Sequence, residues 1–433
     1  MKPTLALFLL TLAVVFLWNS PHSGTIAAPS ASAAPAAGPW TTGAVGTLGD
    51  VVYGPGEHYV DLASEGLYDP QLWAVILDYN TLTIQAGATI RFLNHPTRAP
   101  VVIRAMGDII HSGALILDGA KGHNGSEFPV HSEPGPGGFR GGAILLQSPS
   151  DASDGHGPGG AFRDSSTATG RGGASHATQG TIWGTDITPG PTYGSGFVAP
   201  LVGGSGGTGL PGGLHGGGAG GGAILIGSDS SIVLGGGIYA RGGDAGLVHG
   251  STPAAGSGGA IRLASPLITL MSGGNLRTHG GGIGGGDGWS RVETIGTPVG
   301  GNIPGVPGVL HDQHLSEFLP TMLPTVTVAS WWDDSSSQWM PMGQDPNAVI
   351  DDGSRADVRL PSHGLRTLRL EGRSVDIGAP LHVRITDTAG AAFVDSTHTM
   401  GEVVGSTLGF SWTDVQVDFS LGVSTVQVRA ELP

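Results

Sequence analysis

Residues 216–228 read Gly216-Gly217-Gly218-Ala219-Gly220-Gly221-Gly222-Ala223-Ile224-Leu225-Ile226-Gly227-Ser228. Six glycines and an alanine run without a spacer into an apolar stretch that has the length and bounds of a buried strand. The junction recurs. Gly221-Gly222-Ala223-Ile224-Leu225-Ile226 matches Gly141-Gly142-Ala143-Ile144-Leu145-Leu146 and Gly258-Gly259-Ala260-Ile261-Arg262-Leu263. A second unit follows the last two copies. It is Ser231-Ile232-Val233-Leu234 with Ile238-Tyr239-Ala240-Arg241-Gly242-Gly243, and then Leu267-Ile268-Thr269-Leu270 with residues 273–281. These copies lie 37 residues apart at the glycine-led strand and 36 to 38 apart through the second unit. Residues 109–119 are an earlier relative.

A disordered chain has no reason to repeat apolar strands in fixed phase. Collagen requires glycine at every third position, which Gly216-Gly217-Gly218 breaks. A stacked solenoid accounts for both halves of the junction. Short strands turn alternate apolar side chains inward, neighbouring circuits pair through their backbones, and glycine serves corners that need positive φ. On this reading 216–222 is a corner or loop that returns the chain to the stack. The interval from Gly141 to Gly221 is 80 residues, about double the later one, so residues 149–220 are expected as a long loop insertion.

Composition marks the same region. Of the 79 glycines in 433 residues, 60 lie between Gly107 and Gly308, while both flanks are near average. The fold expected from the residues is all-β: a stacked β-solenoid followed by a small antiparallel β-sandwich. Lys2, the apolar run from Leu5 to Trp18 and Ala31-Ser32-Ala33 fit a signal peptide over 1–33, with a second cleavage candidate at Ala27-Ala28. Residues 34–46 read as a flexible leader, 47–300 as the glycine-rich β-helix and 301–323 as a linker. From about 324 to 433 alternation returns, as in Leu381-His382-Val383-Arg384-Ile385 and Val426-Gln427-Val428-Arg429-Ala430. About seven such runs suit an immunoglobulin-like sandwich.

The net charge of −15 excludes an electrostatic nucleic-acid binder, and the absence of cysteine excludes disulfide and thiolate chemistry. No segment after the leader is apolar enough to span a membrane, so no span is expected in the mature chain. The only lysines are Lys2 and Lys121, so no glycine tract is a P-loop. Residues 242–246 match a calcium-binding nonapeptide poorly and only once. Gly203-Gly204-Ser205-Gly206-Gly207 satisfies G-x-S-x-G formally but follows no strand. His123, His131, His156, His176, His215, His249 and His279 fall in glycine-rich segments, and His311 and His314 in the linker, with no metal-ligand spacing. Asp118, Asp151, Asp154, Asp164 and Asp244 are the acids that a carbohydrate-active site would draw on, but none forms a close pair on a repeated strand. No catalytic, cofactor-binding or metal residue is assigned, and no cofactor is expected.

The stretches 82–87 and 102–109, the three glycine-led strands and 267–281 together resemble glycine-rich, right-handed parallel β-helix proteins that bacteria secrete or display. The tail from Leu368-Arg369-Leu370-Glu371-Gly372 to Leu432 resembles their immunoglobulin-like C-terminal sandwiches. The resemblance implies a cell-surface or extracellular setting and carries over no catalytic residue. The expected function is that of an exported structural or adhesive protein, with extracellular glycans or cell-envelope components as partners. The alternatives are a carbohydrate-active β-helix enzyme, whether lyase or glycoside hydrolase, and a carbohydrate-binding surface protein.

Overall fold

The computed structural model describes residues 10–12, 15–16, 40–69, 72–123, 131–143, 154–163, 170–209, 215–246, 254–295, 309–312, 315–316, 318–319, 325–334, 337–341, 364–373, 378–387, 394–401, 410–419 and 424–430. Among them there is no helix, and the fold is all-β.

Three sheets organise residues 50–312, and all but one of their pairings are parallel. The first sheet holds Asp50–Tyr53, Thr81–Ile84, Ile109–His111, Ser231–Leu234 and Leu267–Leu270. The second holds Gly56–Asp61, Ala88–Leu93, Ala114–Ile116, Gly237–Tyr239 and Asn275–Arg277. The third holds Ala74–Tyr79, Val101–Ala105, Ala223–Ser228, Ala260–Ala264, Trp289–Glu293 and Val309–Asp312, with Leu67–Asp69 antiparallel at one edge. The chain visits first, second and third sheet in that order five times.

The sequence offsets are the strand register. Ala223 pairs with Ala260, Ser231 with Leu267 and Gly237 with Asn275, which are separations of 37, 36 and 38 residues. Each inward side chain therefore sits on its counterpart one circuit away. Leu82, Ile109, Ile232 and Ile268 line the first sheet, and Ile90, Leu115, Ile238 and Leu276 the second. Leu77, Ile103, Ile226, Leu263 and Val292 line the third, and all belong to one buried cluster. Each such side chain contributes about 1.5–3 kcal/mol by leaving water. Residues 141–143 of the copy at Gly141 lie in no strand. Val101–Ala105 pairs directly with Ala223–Ser228, and residues 144–150 of that copy lie outside the described residues.

The long insertion, 117–222, leaves the second sheet and returns to the third, and the shorter passages 240–259 and 278–288 take the same corner in later circuits. Their glycine segments pack together. Gly217 and Gly220 donate to the carbonyls of Gly142 and Phe139, Gly218 and Gly221 to Ala254 and Ser257, and Ala219 and Gly222 to Ala120 and Leu117, all at 2.7–3.0 Å. The partner segment thus changes with every residue and returns after three, which is the period of a polyproline-II-type helix. The carbonyls of 216–222 in turn accept from Gly246, Ser132, Gly207, Gly243, Gly135, Gly204 and Ala260.

Every backbone group in 216–222 is therefore satisfied, with neighbours replacing the water that normally solvates such a helix. None of these glycines has positive φ. They are neither corner nor loop: all six glycines and Ala219 are buried. Much of the rest of 154–163 and 170–209, expected as loop, is also buried and hydrogen-bonded in this bundle.

Two segments expected to be loose are docked. In the leader, the Thr42 amide donates to Asp229 (2.6 Å), and the Val45 and Gly46 amides donate to Asp78. In the expected linker, Val309–Asp312 extends the third sheet and Phe318 is buried against Ile76, Val102 and Leu225. The cause lies in the third sheet, whose outer face is apolar at those positions and is covered by Trp40 and Phe318, packed edge to face at 6.0 Å.

Residues 325–430 form two sheets that are antiparallel throughout. One orders Thr325–Asp333, Gly364–Arg373 and Phe410–Phe419, with Gln338–Pro341 on the first of these; the other orders Ser424–Ala430, Pro380–Asp387 and Val394–Thr399. Trp331, Leu368, Leu370, Leu381, Val383, Val415 and Val417 are buried. Two short strands within the stretch expected as a signal peptide, Val15–Phe16 and Leu10–Leu12, pair at the outer edges of these two sheets, the second in parallel with Ser424–Ala430.

Candidate functional site

The residues that the sequence offers for chemistry are mostly taken up by the scaffold. Ser205 is fully buried, donating to the Tyr193 hydroxyl (3.0 Å) and accepting from the Gly159 amide (2.9 Å), so its hydroxyl is not presented to a substrate. In 242–246, Gly243 and Gly246 donate to the bundle and the Asp244 carbonyl accepts from Gly122. Asp118 holds Arg241, accepting from its Nε at 3.0 Å and from its amide at 2.7 Å; the Arg241 guanidinium also lies 5.2 Å from the Tyr239 ring centre. Asp154 is buried and Asp244 exposed, while Asp151 and Asp164 lie outside the described residues.

The histidines divide in the same way. His123 is exposed, and His215 and His279 are half-buried. His249 and His314 lie outside the described residues, and His311 sits on a third-sheet strand opposite Val292. The structure does bring His131 and His156 together, with Nε2 of His156 3.2 Å from Nδ1 of His131, itself 2.9 Å from the Gly141 carbonyl. Burial, with the charge of Arg140 beside it, pushes His131 down to about 4. Burial and its histidine neighbour hold His156 well below the usual range. Glu133 binds both Arg98 and Arg140, and those charges keep it ionised against the effect of burial. His176 stacks on Tyr193, has its Nδ1 2.7 Å from the Gly258 carbonyl, and is pushed by burial down to about 4. Among the described residues no three His, Cys, Asp or Glu side chains gather as a metal site.

One constellation faces outward. On the sheet that holds Trp331, Trp332 pairs with Trp339, Ser330 with Arg369, Arg369 with Asp414 and Glu371 with Trp412. Period-two alternation puts these side chains on the face opposite the buried Trp331, Leu368 and Val415. The Arg369 guanidinium is 4.0 Å from the Trp339 ring centre and 4.2 Å from that of Trp412, and Trp332 meets Trp339 edge to face at 5.4 Å. Asp414 grips Arg369 in a fork, at 2.9 Å and 3.0 Å. The fork fixes the guanidinium plane and the cation fixes the two rings. The three indoles remain partly exposed.

Sequence reasoning missed this face. Its members come from four strands, and Trp331 and Trp332, adjacent in sequence, point to opposite sides. The signal that was present is the alternation itself: Arg369 with Leu368 and Leu370, and Trp412 and Asp414 with Val415 and Val417, follow the in-out rhythm already read in the tail.

No family model, curated protein or solved structure matches the chain. Among the described residues no helix is long and apolar enough to cross a membrane.

Proposed function

We propose that this chain is an exported structural or adhesive protein of the cell surface or extracellular space. Its body is a right-handed parallel β-helix flanked by the glycine bundle, and its tail is an immunoglobulin-like sandwich that presents the tryptophan face. The observation that carries the reading is the complete hydrogen bonding of 216–222 by six surrounding segments. Such a body adds backbone hydrogen bonding to its apolar core as a source of rigidity, which suits a cysteine-free chain outside the cell.

Of the acids that a carbohydrate-active site would draw on, Asp118 is engaged by Arg241; Asp50 and Asp108, outside that set, are likewise held, by Asn80 and Thr81 and by Ser230 and Ser231. These pairs tie one circuit to the next.

The test is expression of the full chain in a secreting bacterium, followed by fractionation, protease shaving of intact cells and N-terminal mass spectrometry. The expected result is a surface-exposed or released chain that begins after Ala28 or Ala33. Retention in the cytoplasm with Met1 intact overturns the reading.

A further inference from the structure

The outward face of the tail carries aromatic rings held in place by a neutralised cation, and we infer that it is a binding site for an uncharged oligosaccharide. The inference deepens the adhesive reading and rests on it. Trp332, Trp339 and Trp412 are large, rigid and amphipathic, and a partly exposed indole cluster of this kind marks a contact surface. The sheet beneath holds them in fixed register, so little side-chain entropy remains to be lost on binding.

Charge selects the ligand class. The fork from Asp414 already neutralises Arg369, and Glu371 stands beside Trp412 in the pairing. The whole chain carries a net charge of −15. A sulfated or uronate-rich chain would meet repulsion from Glu371 and Asp414, since among the described side chains of this face Arg369 is the only cation and Asp414 already holds it. A neutral pyranose chain meets none. It offers an apolar C–H face to each indole and hydroxyls to Glu371, Asp414 and Gln416, which is exposed on the same face, two residues beyond Asp414.

The full mature chain is titrated with cellohexaose, chitohexaose and mannohexaose as neutral probes, and with heparin and galacturonate hexasaccharides as charged ones. Tryptophan emission and acrylamide quenching are the readouts. At least one neutral probe is expected to bind, to shield the indoles from acrylamide, and to bind more tightly than either charged probe. Trp412→Ala and Trp339→Ala are expected to weaken it by at least about tenfold. Trp412→Phe, which keeps a ring over Arg369, is expected to retain most of the affinity. Should an alanine variant fail to fold, the wild-type quenching and the phenylalanine variant still decide the matter. Failure of all neutral probes, preference for a charged one, or unchanged affinity in folded Trp412→Ala overturns the site. If the same preparation still localises to the surface, the glycan site falls and the structural reading stands. If it stays in the cytoplasm yet binds, the reverse holds.

Discussion

Gly218 and Gly220 are glycine because the carbonyl oxygens of Gly243 and Gly204 occupy the space a β-carbon would need. Both obstacles are backbone and themselves hydrogen-bonded, so neither can give way. Gly218→Ala and Gly220→Ala are each expected to destabilise the chain by about 3 kcal/mol, at the upper end for overpacking. Gly235→Ala meets only ordinary van der Waals contacts and should change stability by less than about 0.5 kcal/mol; thermal unfolding of the three variants checks this. The buried histidines set the acid limit. His111, His131 and His176 are each held near 4 by burial, against an ordinary value of 6.5. Their folded pKa is depressed, so the stability they contribute is complete above 6.5 and is lost as pH falls from there toward 4. Each loses roughly 1.4 kcal/mol per pH unit in that window. Denaturant midpoints between pH 7 and 4.5 should fall steeply, and less so in His176→Gln. The burial of His131 and His176 was not legible beforehand, because a histidine in a glycine-rich segment reads as solvated until the segments burying it are known.

At the scale of elements, the strand pairing was legible and the covering segments were not. Offsets of 36 to 38 residues survive in the sequence because the same inward position must be apolar in each circuit. The leader and the linker carry no such period, since they pack against one face only once. Beside the apolar contact of Phe318, a buried ionic clamp on the third sheet holds the linker. Arg262 meets both carboxylate oxygens of Glu293 at 3.1 Å and 3.2 Å, Arg291 adds Nε at 2.6 Å, and the Ser316 amide and hydroxyl close on the same carboxylate. Arg291 reaches on to Asp312 and to the Gly196 carbonyl. Glu293→Ala leaves two buried guanidinium groups short of their partner and is expected to cost about 3–5 kcal/mol. Asp118→Asn, at a half-exposed corner pair, should cost less than about 1 kcal/mol. Urea unfolding of both variants separates clamp from corner. The antiparallel Leu67–Asp69 at the edge of the third sheet interrupts a parallel edge that would otherwise invite another strand.

For the molecule as a whole, the decisive feature is that bundle and sheets are the same strands continued. Residues 216–222 run straight into Ala223–Ser228, 254–259 into Ala260–Ala264, and 117–120 out of Ala114–Ile116. The Ala260 amide donates to Gly222, and the Gly259 amide to Ala240, so hydrogen bonds cross the junction as well as the chain. Opening the bundle would leave buried amides unpaired along three sheet strands at once, and leaving even one such group unsatisfied costs about 1–3 kcal/mol. Bundle and sheets should therefore open together as one cooperative unit. The sequence concealed this because a glycine tract records neither its neighbours nor its period, both of which are set by distant segments equally poor in side chains. In native-state hydrogen exchange, amides of 217–222 are expected to share the opening free energy of 224–226, with the same denaturant dependence. Gly220→Ala should lower protection in both by equal amounts, although the substitution touches no sheet residue. Exchange in 217–222 orders of magnitude faster than in 224–226 would show that the glycines form a separate, weaker layer laid on a self-sufficient stack.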